Sequence, residues 1–183
     1  MNVYIVSLFP DRIIDYFKVG VLKRALEEDL VRLIPVPVRD FGVTRHCKVD
    51  DTPYGGGAGM LLRVDVLTAA VESIPEYRDA RLVYFSPKGA CLAEGVNQMA
   101  NDLEKTLIVI CGAFEGVDER FFSLFNVELV SLGDVVVSSG DAVAIPFLDA
   151  SFCFVDIMNF SRQLVCSFLF YKFHHLLILL FHL

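Results

Sequence analysis

The sequence has no excess of basic residues, and it carries little charge altogether. Its 183 residues include 16 Lys and Arg against 23 Asp and Glu, which gives a formal net charge of −7. A positive field over the whole protein is therefore excluded, although a local basic patch is not. Charged residues make up 21% of the chain and hydrophobic residues 55%, so intrinsic disorder is also excluded. The length is ordinary for one domain and short for two.

Patterns that hold a metal or a disulfide framework are absent. The five cysteines show no C-x-x-C spacing and His46 stands alone, so no metal site is predicted from these residues. Residues 1–6 lack the basic segment of a secretory signal and have the composition of a buried strand. We therefore expect a reducing, cytoplasmic setting.

The common signatures of nucleotide and hydrolase sites are also missing. The sequence contains no G-x-G-x-x-G and no Walker A motif, which excludes the usual cradles for a dinucleotide or a triphosphate. It contains no G-x-S-x-G and no H-E-x-x-H, so serine-hydrolase and zinc-protease chemistry have no support. These absences narrow the expected cofactors to those without a pyrophosphate group.

Glycine, proline and charge almost disappear after residue 150. All 12 Gly and all 7 Pro lie in residues 1–150, which we take as one domain, followed by an anomalous hydrophobic tail at 151–183. Three explanations of the tail stay open: a membrane anchor at 164–183, a hydrophobic helix packed at an oligomer interface, or a non-native terminus from a shifted reading frame. Lys172 in mid-span would cost an anchor about 2.5–3.5 kcal/mol, so no membrane association is expected.

Apolar runs and segments of helical spacing alternate along residues 1–150. Five runs have the composition of strands, at 3–9, 30–38, 82–85, 106–111 and 127–130. Five segments have helical spacing, at 11–17, 21–29, 64–74, 94–102 and 118–124. Pro35 and Pro37 put the second strand at a sheet edge or a strand end. Because the strands are apolar on both faces, the pattern predicts an α/β fold with a parallel sheet covered by helices on both sides.

Three of the predicted strands run into loops that carry glycine, at 86–89, 112–116 and 131–140. Ligands of parallel α/β sheets bind outside the carboxyl ends of the strands, and glycine lets main-chain N–H and C=O groups approach a ligand closely. Each loop alone is compatible with an ordinary turn between a strand and a helix. The three together favour a pocket for a flat, neutral heterocycle. Cys111, at the end of its strand, is expected to be a core residue.

A fourth glycine-rich segment lies in the polar loop predicted at 42–60, where residues 55–59 include four glycines. Ordering glycine costs conformational entropy that a purely structural loop rarely needs to spend. Arg39, Arg45 and Lys48 supply cations beside it. The loop is therefore predicted to approach a phosphate backbone and to order around it, and a flexible surface loop is the alternative.

Six motifs follow one another in residues 1–150. They are Ser7-Leu8-Phe9-Pro10, Arg39-Asp40-Phe41, V-D-D-T-P-Y-G-G-G-A-G-M at 49–60, Ser86-Pro87-Lys88-Gly89, C-G-A-F-E-G-V-D-E-R at 111–120, and Gly133-Asp134. The ordered set resembles the bacterial tRNA (guanine-N1)-methyltransferase family, which modifies the guanine at position 37, next to the anticodon.

The resemblance implies a SPOUT-type α/β domain with a deep trefoil knot, a homodimer with a shared active site, S-adenosylmethionine as methyl donor, tRNA as partner, and a need for Mg²⁺. The implied cofactor-binding residues are Tyr84, Phe85, Ser86, Pro87, Gly89, Gly112, Glu115, Gly116, Leu132, Gly133, Asp134, Val135, Val136, Val137 and Gly140. The implied tRNA-contacting residues are Arg45, Asp50, Tyr54, Gly55, Gly56, Gly57 and Gly59. Glu115 matches an acidic residue implicated in the activity and is the candidate catalytic residue.

The chain also departs from the family pattern. Ala113 and Phe114 stand where the family commonly has Arg or His followed by Tyr, and the family's guanine-O6-binding Arg would fall at Cys153. Its general-base Asp has no counterpart, since Asp156 matches neither spacing nor context, and we expect its C-terminal tRNA-binding domain to be missing. Losing a general base typically costs about 10²–10⁴ in rate. We therefore expect cofactor binding with weak or no methylation, and the alternative is a non-catalytic knotted module that dimerises or binds RNA.

Overall fold

The structure is a computed structural model that describes residues 1–19, 22–53, 55–57, 59–101 and 106–159. The strands are β1 (Asn2–Ser7), β2 (Arg32–Pro37), β3 (Asp50–Asp51), β4 (Leu61–Leu62), β5 (Arg81–Cys91), β6 (Leu107–Ile110) and β7 (Val127–Ser131). The helices are α1 (Pro10–Tyr16), α2 (Leu22–Glu27), α3 (Val64–Glu72), α4 (Leu92–Asn101), α5 (Phe121–Leu124) and α6 (Asp141–Asn159). A short 3₁₀ helix covers Val38–Phe41.

Five parallel strands form one sheet in the order β2-β1-β6-β5-β7. Pro35 and Pro37 lie in β2 at the sheet edge, as predicted. Because an edge strand has a neighbour on one side only, the N–H that proline lacks interrupts no pairing with a second neighbour. The short strands β3 and β4 pair antiparallel outside this sheet. The predicted α/β fold with a parallel sheet is confirmed.

Helices cover both faces of the sheet and bury its alternating side chains. Val3 and Ile5 of β1 belong to the hydrophobic cluster that includes α1, α2, α4 and α6. Tyr4 and Val6 of the same strand point the other way, into the cluster that includes α3 and α5. Burying one such aliphatic side chain contributes roughly 1.5–3 kcal/mol. Because all pairings of the five strands are parallel, their carboxyl ends lie at one edge of the sheet.

The observed strand β5 and helix α5 differ in length from the predicted elements. β5 continues to Cys91, but its pairing with β7 shifts between Phe85 and Ala90, so residues 86–89 form a bulge within a longer strand rather than a loop that ends it. α5 begins only at Phe121, because the Asp118 carboxylate accepts hydrogen bonds from the Arg120 main chain and guanidinium. Such a side-chain turn competes with helical hydrogen bonding.

Helix α6 was not predicted, and it spans residue 150. Phe147, Leu148, Ser151 and Phe152 of this helix are buried, and the Phe152 ring packs edge-on against Phe17, with 5.3 Å between ring centroids. Residues 160–183, which hold most of the anomalous tail, lie outside the described residues. In the part that the structure does describe, no helix combines the length and the apolar character needed to cross a bilayer.

Candidate ligand-binding site

The three loops predicted from the sequence line a single pocket of about 230 Å³ at the carboxyl edge of the sheet. The bulge of β5 contributes one wall, the loop after β6 the second, and the long loop between β7 and α6 the third. The lining residues are Tyr84, Phe85, Ser86, Pro87, Gly112, Ala113, Phe114, Glu115, Gly116, Val130, Ser131, Leu132, Gly133, Val135, Val136, Val137, Ser138, Ser139, Gly140 and Val143.

Glycine is required where two walls of the pocket meet. The Gly140 N–H donates to the Gly112 carbonyl at 2.8 Å, and a Cβ on Gly140 would lie 2.6 Å from the Gly112 nitrogen. A Cβ on Gly112 would lie 2.6 Å from the Tyr84 hydroxyl oxygen. The two loops are therefore in main-chain contact at this point, and the Tyr84 side chain of β5 packs against Gly112, closer than a Cβ would allow.

The start of α6 is fixed to the sheet by a carboxylate. The buried Ser7 hydroxyl donates to Asp141 Oδ1 at 2.7 Å and itself accepts from the Phe9 N–H at 3.0 Å. Cys111 is buried, as expected, and burial, followed by the nearby Asp141 charge and hydrogen bond, raises the pKa of its thiol well above the usual value. Asp141 thus joins the ends of β1 and β6 directly after Gly140, which holds the third wall of the pocket in place.

The pocket is lined mainly by apolar side chains and main-chain atoms. Among its described lining residues, Glu115 is the one with a charged side chain. Burial, with the Glu119 charge second, raises the pKa of Tyr84, so its phenol is neutral at ordinary pH. Such a pocket suits a neutral ring system bound through main-chain hydrogen bonds, with a carboxylate available at one side.

The fourth glycine-rich segment reaches this pocket through Glu115. The Glu115 N–H donates to the Met60 carbonyl at 3.0 Å, and the Leu62 N–H donates to the Gly116 carbonyl at 2.9 Å. Gly59 has a φ of +91° and sits against the Glu115 side chain, so that a Cβ there would overlap it. Residues 59–62 therefore form a continuous connection between the loop predicted to contact RNA and the wall of the pocket.

The remaining residues predicted to contact tRNA are spread along the same segment. Gly55, Gly56 and Gly57 are exposed and have φ values of +93°, +84° and +136° in open space. Arg45 is exposed in the turn closed by Val43 and Lys48. Asp50 lies in β3, opposite Leu62. Tyr54 lies outside the described residues. These positions stay a predicted RNA surface.

The pocket contains all but two of the predicted cofactor-binding residues. Gly89 packs against the β7 main chain, where a Cβ would meet the Leu129 carbonyl group, and Asp134 is exposed; neither lines the pocket. Lining residues that were not named from the sequence are Ala113, Phe114, Val130, Ser131, Ser138, Ser139 and Val143. Val143 was missed because α6 was not predicted, whereas the other six lie within or next to the predicted loops and could have been named.

No group of three or more His, Cys, Asp or Glu side chains within the described ranges is arranged to hold a metal ion. Asp51 and Asp65 instead form ion pairs with Arg63 at 3.1 and 2.7 Å. The Arg63 side chain holds the pKa of Asp65 below its usual range, and Asp51 pairs with Lys48 as well. Both carboxylates therefore form ion pairs with basic side chains of the protein itself.

Comparison with known proteins places these features in a family. A model of the family described as tRNA (Guanine-1)-methyltransferase TrmD matches residues 1–159. A Clostridium perfringens protein named tRNA (guanine-N(1)-)-methyltransferase is 36% identical over 152 residues, which cover 82% of this chain and 62% of the relative. A protein of the same name from Rhizorhabdus wittichii is 43% identical over 148 residues, covering 80% and 59%.

The matched region is a part of these relatives. A third protein of the same name, from Clostridium botulinum, is 33% identical over 158 residues, covering 85% of this chain and 64% of the relative. The chain therefore spans roughly three fifths of the length of the curated relatives that it matches. The three loops and the glycine-rich segment all lie within the region matched by the family model.

Proposed function

Because this chain belongs to the tRNA (guanine-1)-methyltransferase TrmD family, we propose that it binds S-adenosylmethionine and directs the methyl group to N1 of a guanine in tRNA. The observation that carries the proposal is the meeting of three glycine-bearing loops around one pocket at the carboxyl edge of the sheet. Family membership supplies the class of reaction, and the pocket supplies a location where a methyl donor fits.

The residues around the pocket fit the methyl donor. Gly112 and Gly140 leave main-chain space that a Cβ would fill, which suits close approach of a nucleoside to N–H and C=O groups. S-adenosylmethionine supplies an electrophilic methyl group on a sulfonium centre. In our proposal the three loops hold its adenosine, while Leu132 and Val137 line the apolar side of the pocket and Gly133 turns the chain around it.

The guanine is proposed to enter beside Glu115. This side chain lines the pocket and contacts Gly59 of the glycine-rich segment, which supports a position between donor and RNA. Methylation of N1 requires removal of its proton, accommodation of charge on O6, and alignment with the donor. We assign alignment to the loops and contact with the guanine to Glu115, and we assign neither the base nor the O6 partner to a described residue.

Finer features of the proposal follow the family resemblance. We propose that the acceptor is the guanine at position 37, that the loops belong to a SPOUT-type trefoil knot, and that two chains share the active site. Requirements for Mg²⁺ and a cytoplasmic location complete the proposal. The direct main-chain contact between residues 112 and 140 supports a closely interwoven arrangement of the loops.

The test measures donor binding and methyl transfer on the same protein. Isothermal titration with S-adenosylmethionine is expected to give saturable binding with one site per chain. Incubation with an unmodified tRNA transcript should produce 1-methylguanosine only slowly, since no general base is assigned; the product is detected by mass spectrometry of nucleosides, and a transcript with A at position 37 should produce none. Absence of binding to well-folded protein contradicts the proposal. Binding without any methylation would favour the non-catalytic RNA-binding module instead.

A further inference from the structure

Two sequence motifs that the pocket does not use come together beside it. Phe9 of the first motif has a side chain that is 40% exposed. The Arg12 guanidinium lies over its ring, with 4.5 Å from Cζ to the ring centroid, and the guanidinium of Arg39, from the second motif, lies over it at 5.0 Å. One exposed aromatic ring therefore positions two cations that are separated by 27 residues in the chain.

Both guanidinium groups are available to an anion. Within the part of the chain that the structure describes, no carboxylate lies in ion-pair distance of Arg12 or Arg39, whereas Arg32 pairs with Asp29 and Arg63 with Asp65. A guanidinium over an aromatic ring is attracted by the π face of that ring. This contact leaves the N–H donors in the guanidinium plane free for a planar or phosphate partner. These two cations and the Phe9 ring define one surface patch in a chain of net charge −7.

This patch lies at the same edge of the sheet as the pocket. Phe9 follows β1 and Arg39 follows β2, and β1 is the neighbour of β6, whose end leads into the pocket wall. Adjacent strands lie about 4.8 Å apart. A hydrogen-bonded path also joins them: the Phe9 N–H donates to Ser7 Oγ, and Ser7 donates to Asp141, the residue next to Gly140 of the pocket.

We propose that Arg12 and Arg39, held over the Phe9 ring, bind a backbone phosphate of the RNA whose guanine enters the pocket. The inference rests on the proposed function, since a nucleotide bound at Glu115 brings its neighbouring phosphates to this edge of the sheet. The patch carries no information about base identity, because phosphate contacts position an RNA and do not read its sequence.

The test is the salt dependence of binding of a fluorescent tRNA transcript. Each phosphate contact that is lost reduces the slope of log affinity against log salt by about 0.7–1. Because both side chains bind one phosphate, we expect a reduction of up to this size for R12Q and for R39Q. The matched control is R32Q, which removes the same charge from the opposite end of β2 and should leave the slope unchanged. If R12Q and R39Q change the slope no more than R32Q does, the proposal is overturned.

A second variant separates the geometry from net charge. F9L keeps an apolar side chain and changes no charge, but it removes the ring that positions both guanidinium groups. RNA affinity should therefore fall several-fold. The melting temperature of F9L shows whether the fold persists. Unchanged affinity in folded F9L contradicts the proposal.

Titration of the same wild-type protein with S-adenosylmethionine distinguishes the two hypotheses. Donor binding with no RNA affinity at low salt overturns the phosphate site and leaves the cofactor pocket standing. Arginine-dependent RNA binding without donor binding supports the phosphate site and counts against the proposed function.

Discussion

Replacing Gly140 by alanine tests the contact that joins two walls of the pocket. The new Cβ would lie 2.6 Å from the Gly112 nitrogen and 2.9 Å from the Cys111 Cα. Both are main-chain atoms that cannot rotate away, so the loops have to separate by roughly 1 Å to reach ordinary van der Waals contact. The φ of Gly140 is not in the left-handed region, so the effect is steric and not conformational.

The size of the effect follows from two contributions. Overpacking at a tight contact costs about 1–3 kcal/mol, and weakening the Gly140–Gly112 hydrogen bond adds about 0.5–1.5 kcal/mol. The reduced entropy of the unfolded alanine chain offsets about 0.4–1 kcal/mol of this. A net loss of about 0.5–4 kcal/mol lowers the melting temperature by several degrees in a chain of this size. Donor affinity should fall at least tenfold, because the adenosine contacts belong to the displaced main chain.

Calorimetric titration with S-adenosylmethionine, together with thermal unfolding, measures both quantities. G56A is the matched control: it introduces the same methyl group into open space, at a residue with φ of +84°. It should cost about 1–2 kcal/mol in backbone strain and leave donor affinity unchanged. If G140A binds the donor as tightly as wild type does, the assignment of these loops to the cofactor is wrong.

Three further perturbations test neighbouring contacts. S7A removes the hydroxyl that donates to Asp141, and the loss of this partner should lower the free energy of unfolding by about 1–3 kcal/mol, measured by urea denaturation; an unchanged midpoint contradicts the anchoring of α6. G59A should lower methyl transfer more than donor binding, because its Cβ meets only the side chain of Glu115, assigned to the guanine, and no main-chain atom of the three loops; equal losses in both assays refute this. The raised pKa of Cys111 keeps its thiol protonated and unreactive at pH 8. Mass spectrometry after iodoacetamide treatment should therefore find Cys111 unmodified, whereas the exposed Cys47 and Cys91 react.

The sheet and the pocket loops were predictable because both depend on short stretches of sequence. Runs that are apolar on both faces define buried parallel strands, and the glycines that follow three of them mark close main-chain approaches. The family resemblance, drawn from motifs in residues 1–150, is confirmed by the family match over residues 1–159. The order of the strands could not be deduced in the same way, because it depends on crossovers between distant segments.

Contacts between distant residues account for most of what the sequence did not predict. Ser7 and Asp141 are 134 positions apart, and nothing in either local pattern indicates that one anchors the other. Helix α6 was not predicted because it contains Pro146 and because its apolar residues show no clear single face. Its first turns pack against the sheet and become helical through tertiary contacts rather than through an amphipathic pattern.

In our proposal the three loops form the binding site for the methyl donor through their main-chain atoms. Titration of ¹⁵N-labelled protein with S-adenosylmethionine, followed by amide chemical shifts, tests this assignment residue by residue. Saturable shifts concentrated at residues 84–89, 112–116 and 132–140, with little change in α3 or the edge strand β2, are the predicted result. Shifts confined to other parts of the chain, or none at millimolar donor in folded protein, would contradict it.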